Sequence, residues 1–159
     1  MPPLTGLDLE IVPERLSLSL MNAALACRLT LVNEGAEPLR DFTVTADLTG
    51  AHGALSTAEQ LGGPAAGARE IVRLPLLGPG EQHAITADLR LPLAEAPAIR
   101  QGQAALFVPL LRLAFAAEGH GRRTATVLVG PPGQNGQVQP VRLDGGPRVV
   151  APLAARALP

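Results

Sequence analysis

Aromatic side chains are nearly absent from this chain of 159 residues: three Phe are the whole set, with no Trp and no Tyr. Proteins that bind sugars or single-stranded nucleic acid rely on exposed aromatic rings that stack on the ligand. Phe42, Phe107 and Phe115 all fall at apolar positions of predicted strands. We therefore expect no nucleic-acid partner, and we expect Leu, Val and Ala to fill most of the interior.

Lysine is absent too, and cysteine occurs once. All thirteen basic residues are Arg, a bias that we attribute to a GC-rich gene rather than to thirteen selected guanidinium sites. Because Cys27 is the single cysteine, no intrachain disulfide can form. Cys27 shares the apolar phase of Leu25 and Leu29, which predicts a buried and unreactive thiol.

Long apolar runs are also missing. The most apolar stretch, Ala104 to Ala117, is interrupted by Pro109 and Arg112, and it is shorter than the roughly 20 residues of a membrane-spanning helix. The first residues lack the basic start and apolar run of a signal peptide. Residues 1–121 carry eight Arg and thirteen acids, whereas residues 122–159 carry five Arg and one acid. We expect these segments to complement each other within one domain.

No arrangement of residues predicts a reaction. His52, His83 and His120 are isolated and lack the spacing of zinc ligands, and no Asp-rich calcium loop is present. The serines lack a nucleophile-elbow context. The loop from Gly130 to Gly136 lacks the Gly-Lys-Ser/Thr ending of a phosphate-binding loop. We therefore predict a protein that is not an enzyme and that uses no metal and no cofactor.

Alternation of apolar and polar residues is the dominant pattern. From Leu29 to Gly50 it predicts two half-buried strands joined by a turn at Asn33, Glu34 and Gly35, and it recurs from Glu81 to Leu91. Pro13 should kink the first strand. One long apolar strand is expected from Leu106 to Phe115, and Pro109 should lie at its margin, at a sheet edge or at a bulge. Further expectations are helical turns after Ser56 and within Pro92 to Gln103, a hairpin at Gly119 to Gly121, and a last short strand from Val138 to Leu143.

Eight or nine short strands with Gly/Pro turns and one or two helical turns predict an all-β fold, an immunoglobulin-like antiparallel β-sandwich. A jelly roll and an open barrel are alternatives. We place the sandwich at residues 7–150, a tail or cloning remnant at residues 1–6, and a C-terminal tail at residues 151–159, with a short helix from Pro152.

Two groups of segments carry a resemblance to known families. LVNEGAEPLRDFTVTADL and LLGPGEQHAITADLRLP resemble bacterial immunoglobulin-like accessory modules, which share a fold and no activity. FVPLL, TATVLVG and VQPVRLDGGPR resemble an uncharacterised alphaproteobacterial, mainly sphingomonad, family over Leu7 to Arg148. Its members often place this domain behind a membrane anchor and a Pro-rich linker, and we expect neither in this chain. Where that family would have aromatic residues after the FVP strand, this chain has Ala116 and Ala117.

Sandwich signals without a catalytic arrangement of residues predict a non-catalytic interaction or structural accessory domain with a protein partner. The resemblance implies that it is associated with the cell envelope. The sequence does not decide the compartment, and the cytoplasmic face of the envelope is one alternative. The alternative function is a small-ligand or lipid-binding β-domain, suggested by the aliphatic run from Leu106 to Phe115. The candidate binding residues are Arg122 and Arg123, which suit phosphate or an acidic lipid unless they form a solvated face, and Arg142 and Arg148 in the family-like segment.

Overall fold

A computed structural model describes residues 2–51, 62–96, 99–102 and 104–158. These residues form twelve strands: β1 (Leu7–Leu18), β2 (Asn22–Asn33), β3 (Leu39–Gly50), β4 (Arg69–Leu77), β5 (Gln82–Pro92), β6 (Ile99–Gln101), β7 (Ala104–Phe107), β8 (Pro109–Ala116), β9 (Arg123–Gly130), β10 (Val141–Arg142), β11 (Arg148–Val150) and β12 (Ala154–Ala157). Two single 3₁₀ turns occur at Leu93–Glu95 and Gln134–Gly136. The first of these confirms the helical turn expected after Pro92, and the turn expected after Ser56 lies outside the described residues.

Two antiparallel sheets form the sandwich. One has the order β11-β1-β2-β5 and the other β12-β9-β8-β3-β4, while β10-β7-β6 makes a small third sheet. The arrangement of β1-β2-β5 over β9-β8-β3-β4 is that of an immunoglobulin-like domain with an extra strand next to β3. The all-β sandwich prediction is therefore confirmed. The strand count exceeds the expected eight or nine because β6, β10, β11 and β12 are short pairings of two to four residues.

The core lies between the inner faces of the two large sheets. Along β2 and β3 buried residues alternate with half-buried or exposed ones, as a two-residue strand period requires. Phe42, Phe107 and Phe115 are fully buried, which confirms their expected place in the interior. Cys27 is fully buried as well, and its thiol has a pKa raised from 9.0 to about 11, mainly by removal from water and secondarily by the charges of Glu14 and Asp88.

The two strands of the segment Leu29 to Gly50 do not pair with each other. β2 pairs with β1 and β5, whereas β3 pairs with β4 and β8 in the opposite sheet. The predicted turn after Asn33 is present, but it carries the chain across the sandwich. Strand alternation reports which face of a strand is buried and does not report which neighbour it pairs with.

The run from Leu106 to Phe115 is two strands, so the prediction of one long strand is wrong. The chain leaves the small sheet after β7 and enters the five-stranded sheet at Pro109, which faces Gly50. Pro109 has no N–H to donate, and at the first position of β8 it stands at a strand margin, as predicted. Pro13 also lies where predicted, beside a register shift in the pairing of β1 with β2.

Both ends of the chain differ from the sequence-based expectation. Residues 2–6 pack on the domain, since Leu4 is buried and the Gly6 carbonyl accepts a hydrogen bond from the Glu34 N–H. The predicted helix from Pro152 is wrong: β12 forms there and pairs with β9. The outer edge of β9 presents unpaired backbone groups, and pairing with them outweighs the weak helix preference of a short Ala-rich segment.

Asn33 joins the turn after β2 to the turn before β5. Its side-chain Nδ2 donates to the carbonyls of Glu37 and Leu77, both at 2.9 Å, and its Oδ1 accepts from the Gly35 N–H at 3.0 Å. Its backbone N–H donates to the Glu81 carbonyl, and its own carbonyl accepts from the Gly80 N–H. The turn after β2 and the turn before β5 are therefore bonded to each other.

Replacing the Asn33 side chain should destabilise the domain. Asn33→Ala removes three side-chain hydrogen bonds and leaves the buried Leu77 carbonyl without that donor, which should lower the free energy of unfolding by about 2–4 kcal/mol. Urea denaturation measures the effect. Glu37→Ala is the control, because the Glu37 side chain is exposed and only its backbone carbonyl bonds to Asn33. Equal stability of the two variants would contradict the role of Asn33.

The Cys27 thiol should be unreactive in the native protein. With a pKa of about 11, its thiolate fraction near pH 8 is on the order of 100-fold below that of a free cysteine, and burial slows access further. Labelling with a thiol-specific disulfide reagent should therefore follow global unfolding, with native and urea-unfolded protein compared at the same pH. Rapid native labelling would show that the strand pair around Cys27 opens easily.

Candidate functional site

The four candidate arginines lie in two pairs at opposite ends of the sandwich. Arg123 Nη1 donates to the Leu7 carbonyl at 2.9 Å, at the start of β1. Arg148 pairs with Leu18, at the end of the same strand. A twelve-residue strand separates its ends by on the order of 30 Å. The structure therefore does not bring these four residues into one site.

Arg142 and Arg148 are occupied by local contacts. Arg142 makes two hydrogen bonds to Asp144, at 3.2 and 2.6 Å, and Arg148 donates to the carbonyls of Arg142 and Gly146 at 2.6 and 3.1 Å. The hydrogen bond from Arg142 is the main reason that the pKa of Asp144 falls from 3.8 to about 2. These bonds brace the turn between β10 and β11. Arg142 and Arg122 are exposed, whereas Arg123 and Arg148 are half-buried.

The histidines are not gathered either. His83 is half-buried on β5, and His120 lies in the hairpin between β8 and β9 with Nδ1 at 3.1 Å from the Glu118 carbonyl. His52 lies outside the described residues. Across residues 2–51, 62–96, 99–102 and 104–158, no three His, Cys, Asp or Glu side chains come together as metal ligands. The same part of the chain has no helix of the length and hydropathy that a membrane crossing requires.

Among the described residues, no strand pairs with the outer edge of β5. Asn33 donates its N–H to the Glu81 carbonyl, and Leu93 donates its N–H to the Met21 carbonyl. In an antiparallel ladder, direction alternates with each residue, so the odd-numbered residues of β5 bond to β2. The even-numbered residues present their backbone groups to the open edge: Gln82, Ala84, Thr86, Asp88 and Arg90 with both groups, and Pro92 with its carbonyl.

The other sheet edges of the described chain are shorter or interrupted. β11 and β12 contain three and four residues, and β4 contains Pro75 and a register shift opposite β3. β5 has eleven residues with proline only at its last position, and it pairs with β2 throughout without a shift. Such a regular edge is the kind that accepts another strand.

A charged groove runs beside the C-terminal half of β5. It is open to solvent and has a volume of about 530 Å³ between β5 and the part of β3 that β4 does not cover. Its charged lining is Asp47, Arg69, Asp88 and Arg90, and its apolar lining is Ala46, Leu48 and Leu89. We call this feature the edge groove.

Two contacts organise the charges of the edge groove. Arg69 Nη1 donates to the Asp88 carbonyl at 2.9 Å and so covers one acceptor of the open β5 edge. Asp47 is held by Arg112, from Nε to Oδ1 at 2.8 Å and from Nη2 to Oδ2 at 2.6 Å, and it also accepts the Ala65 N–H at 2.9 Å. Among the described residues, Arg69, Asp88 and Arg90 form no ion pair.

Sequence reasoning missed this site, although its strand was predicted. The polar face of Gln82, Thr86, Asp88 and Arg90 is visible in the sequence as the solvated side of a strand. Nothing in that alternation shows that β5 ends a sheet, because strand order depends on pairings between distant segments. The Asp47–Arg112 pair was equally hidden, since its members lie in β3 and β8.

Comparison with known proteins gives no functional assignment. No family model and no curated protein matches the chain. Among solved structures, the chain is similar to the X-ray structure of Northeast Structural Genomics Consortium target SoR45, with 14% sequence identity and a TM-score of 0.43 over 87% of this chain and 86% of that one.

The Asp47–Arg112 pair should stabilise the domain measurably. The two side chains are only 20% and 15% exposed, so removing one leaves the other partly desolvated and unpaired. We expect Asp47→Ala and Arg112→Ala each to lower the free energy of unfolding by about 2 kcal/mol, and the double variant to cost at least about 1 kcal/mol less than their sum. Denaturant unfolding of all four proteins gives this coupling. If the losses of the two single variants simply added up in the double variant, the coupling would be absent. The exposed Arg73–Glu70 pair is the control and should show little coupling.

Proposed function

We propose that this protein is a non-catalytic interaction domain that binds an extended polypeptide segment by strand addition at the outer edge of β5. The observation that carries the proposal is the row of outward backbone groups from Gln82 to Arg90, uninterrupted by proline or a bulge. An added strand satisfies these groups with main-chain hydrogen bonds, and neighbouring side chains then supply specificity.

The rigidity of β5 supports the proposal. Its inner residues Ala87, Leu89 and Leu91 are buried in the core, and its inner backbone groups bond to β2. The strand is thus already extended and held in place, so a partner bears little of the ordering cost on this side of the complex. A regular, pre-formed edge suits recognition of a backbone in extended conformation.

The alternative of a small-ligand or lipid-binding domain has less support. Such sites are usually concave and mostly apolar. The edge groove and a second groove of about 490 Å³ between β1 and β9 are open to solvent, and charged side chains stand among the apolar ones in both linings, Asp8 and Arg123 in the second. The resemblance to a sphingomonad family and the expected association with the cell envelope stay predictions.

Blocking the edge with one proline should abolish peptide binding. Thr86 presents its N–H outward, so Thr86→Pro removes an edge donor without removing a bond to β2 and should cost no more than about 2 kcal/mol of stability. We expect decapeptides selected by the wild-type domain from a random phage-displayed library to bind Thr86→Pro at least about tenfold more weakly, because the missing donor interrupts the added ladder. Fluorescence anisotropy with the synthetic peptides measures the loss.

Thr86→Ala is the matched control, since it keeps the N–H and should bind as the wild type does. Amide exchange supplies the second readout: bound peptide should slow exchange at the outward amides of Ala84, Thr86, Asp88 and Arg90. If no peptide is selected, or if the selected peptides bind Thr86→Pro as tightly as the wild type, strand addition at β5 is wrong.

A further inference from the structure

We infer that the segment bound at β5 carries an acidic side chain opposite Arg90, and that Arg69 and Arg90 together recognise that carboxylate. The inference rests on the proposed function and names the chemistry of the partner. It comes from the edge groove, where the guanidinium groups of Arg69 and Arg90, which form no ion pair with any described residue, adjoin the open strand edge. An acidic extended peptide is the occupant that this combination of backbone and charge fits.

The charge balance of the edge groove favours a negative ligand. Asp47 lines the groove, but both of its oxygens already accept hydrogen bonds from Arg112. Asp88 is therefore the one uncommitted carboxylate in the lining of the edge groove. Glu14 and Arg15 share an adjoining groove with Arg69 and Asp88, and their opposite charges leave the balance unchanged. The local excess of one positive charge is small, yet it lies directly beside the backbone groups that hold the added strand, where a carboxylate would be partly desolvated.

Register follows from the geometry of a strand pair. Side chains directly opposite each other on adjacent strands have Cβ atoms about 4.5–5.5 Å apart, and like charges in this position are unfavourable. A carboxylate opposite Arg90 gains an ion pair, whereas one opposite Asp88, two residues away on the same face, meets a like charge. The acidic residue is thus expected at one position of the bound segment.

The Arg69 side chain has different partners in the free protein and in the protein with a bound strand. In the free protein it covers the Asp88 carbonyl, an acceptor at the open edge, and so protects the edge from indiscriminate pairing. A bound strand offers its own N–H to that carbonyl and displaces Arg69. The released guanidinium, on the exposed first residue of β4, is then free to pair with the ligand's carboxylate. Displacement of Arg69 and binding of an acidic residue are therefore coupled.

The test uses the same random decapeptide library. Peptides that lose binding to Thr86→Pro should be enriched in Asp or Glu over Lys and Arg at one position. A synthetic peptide with Glu there should bind about 3- to 10-fold more tightly than its Gln counterpart, and this difference should shrink in about 0.5 M NaCl. Arg69→Gln and Arg90→Gln should each reduce the Glu preference, while Arg156→Gln, on the distant edge strand β12, should leave it unchanged.

The outcomes separate this inference from the proposed function. Selected peptides that depend on the Thr86 N–H but show no acidic preference would overturn the inference and leave strand addition standing. Unchanged Glu preference in both Arg variants would also overturn it. Selection of peptides insensitive to Thr86→Pro would overturn both proposals. Concentration-dependent dimerisation, abolished by Thr86→Pro and measured by sedimentation equilibrium, would show that a second copy of this chain occupies the edge, which contradicts an acidic peptide partner.

Discussion

The hydrogen bonds of Asn33 determine how the two sheets of this domain meet. Asn33 is the last residue of β2, and its side chain donates to the Leu77 carbonyl at the end of β4. Its backbone N–H and carbonyl bond to Glu81 and Gly80 in the turn before β5. One buried amide thus connects three strands from both sheets. Because a buried amide must satisfy its donors and acceptor, this junction admits few alternative arrangements, and it places β5 beside β2 with its odd-numbered residues turned inward.

The open edge of β5 is a consequence of that arrangement. After β2 the chain crosses to the other sheet for β3 and β4, and it returns only at β5. In the described residues no strand then pairs with the outer side of β5, although constant-type immunoglobulin domains carry a fourth strand in this position. Asp88, Arg90, Pro92 and the covering contact from Arg69 are the features that guard this edge. The charged groups among them protect the edge and also determine the electrostatic environment beside it.

Sequence reasoning succeeded where a signal is local. The alternation around Phe42 and Val44 identified buried faces, and the phase of Cys27 predicted its burial. Pro13 marked an irregularity within β1, and Pro109 marked the start of β8. It failed where two segments had to be matched. The run from Leu106 to Phe115 looks uniform but changes sheets at Val108, and Ala154–Ala157 looked helical but found a free edge on β9. The candidate arginines came from two separate segments, Arg122 and Arg123 from a hairpin and Arg142 and Arg148 from a segment with a family resemblance, and the fold separates the two pairs by the length of β1.

The sequence by itself determined the fold class, the two-residue period of β2, β3 and β5, the burial of the three Phe and of Cys27, and the irregular positions at Pro13 and Pro109. These properties follow from side-chain polarity and backbone chemistry within a few residues. Only the tertiary structure decided which strands are neighbours, and therefore that β5 has an open edge, that Asp47 is neutralised by Arg112, and that Arg69 and Arg90 share one groove. Strand pairing joins residues far apart in the chain, and the alternation of polar and apolar residues does not identify which strand lies next to which.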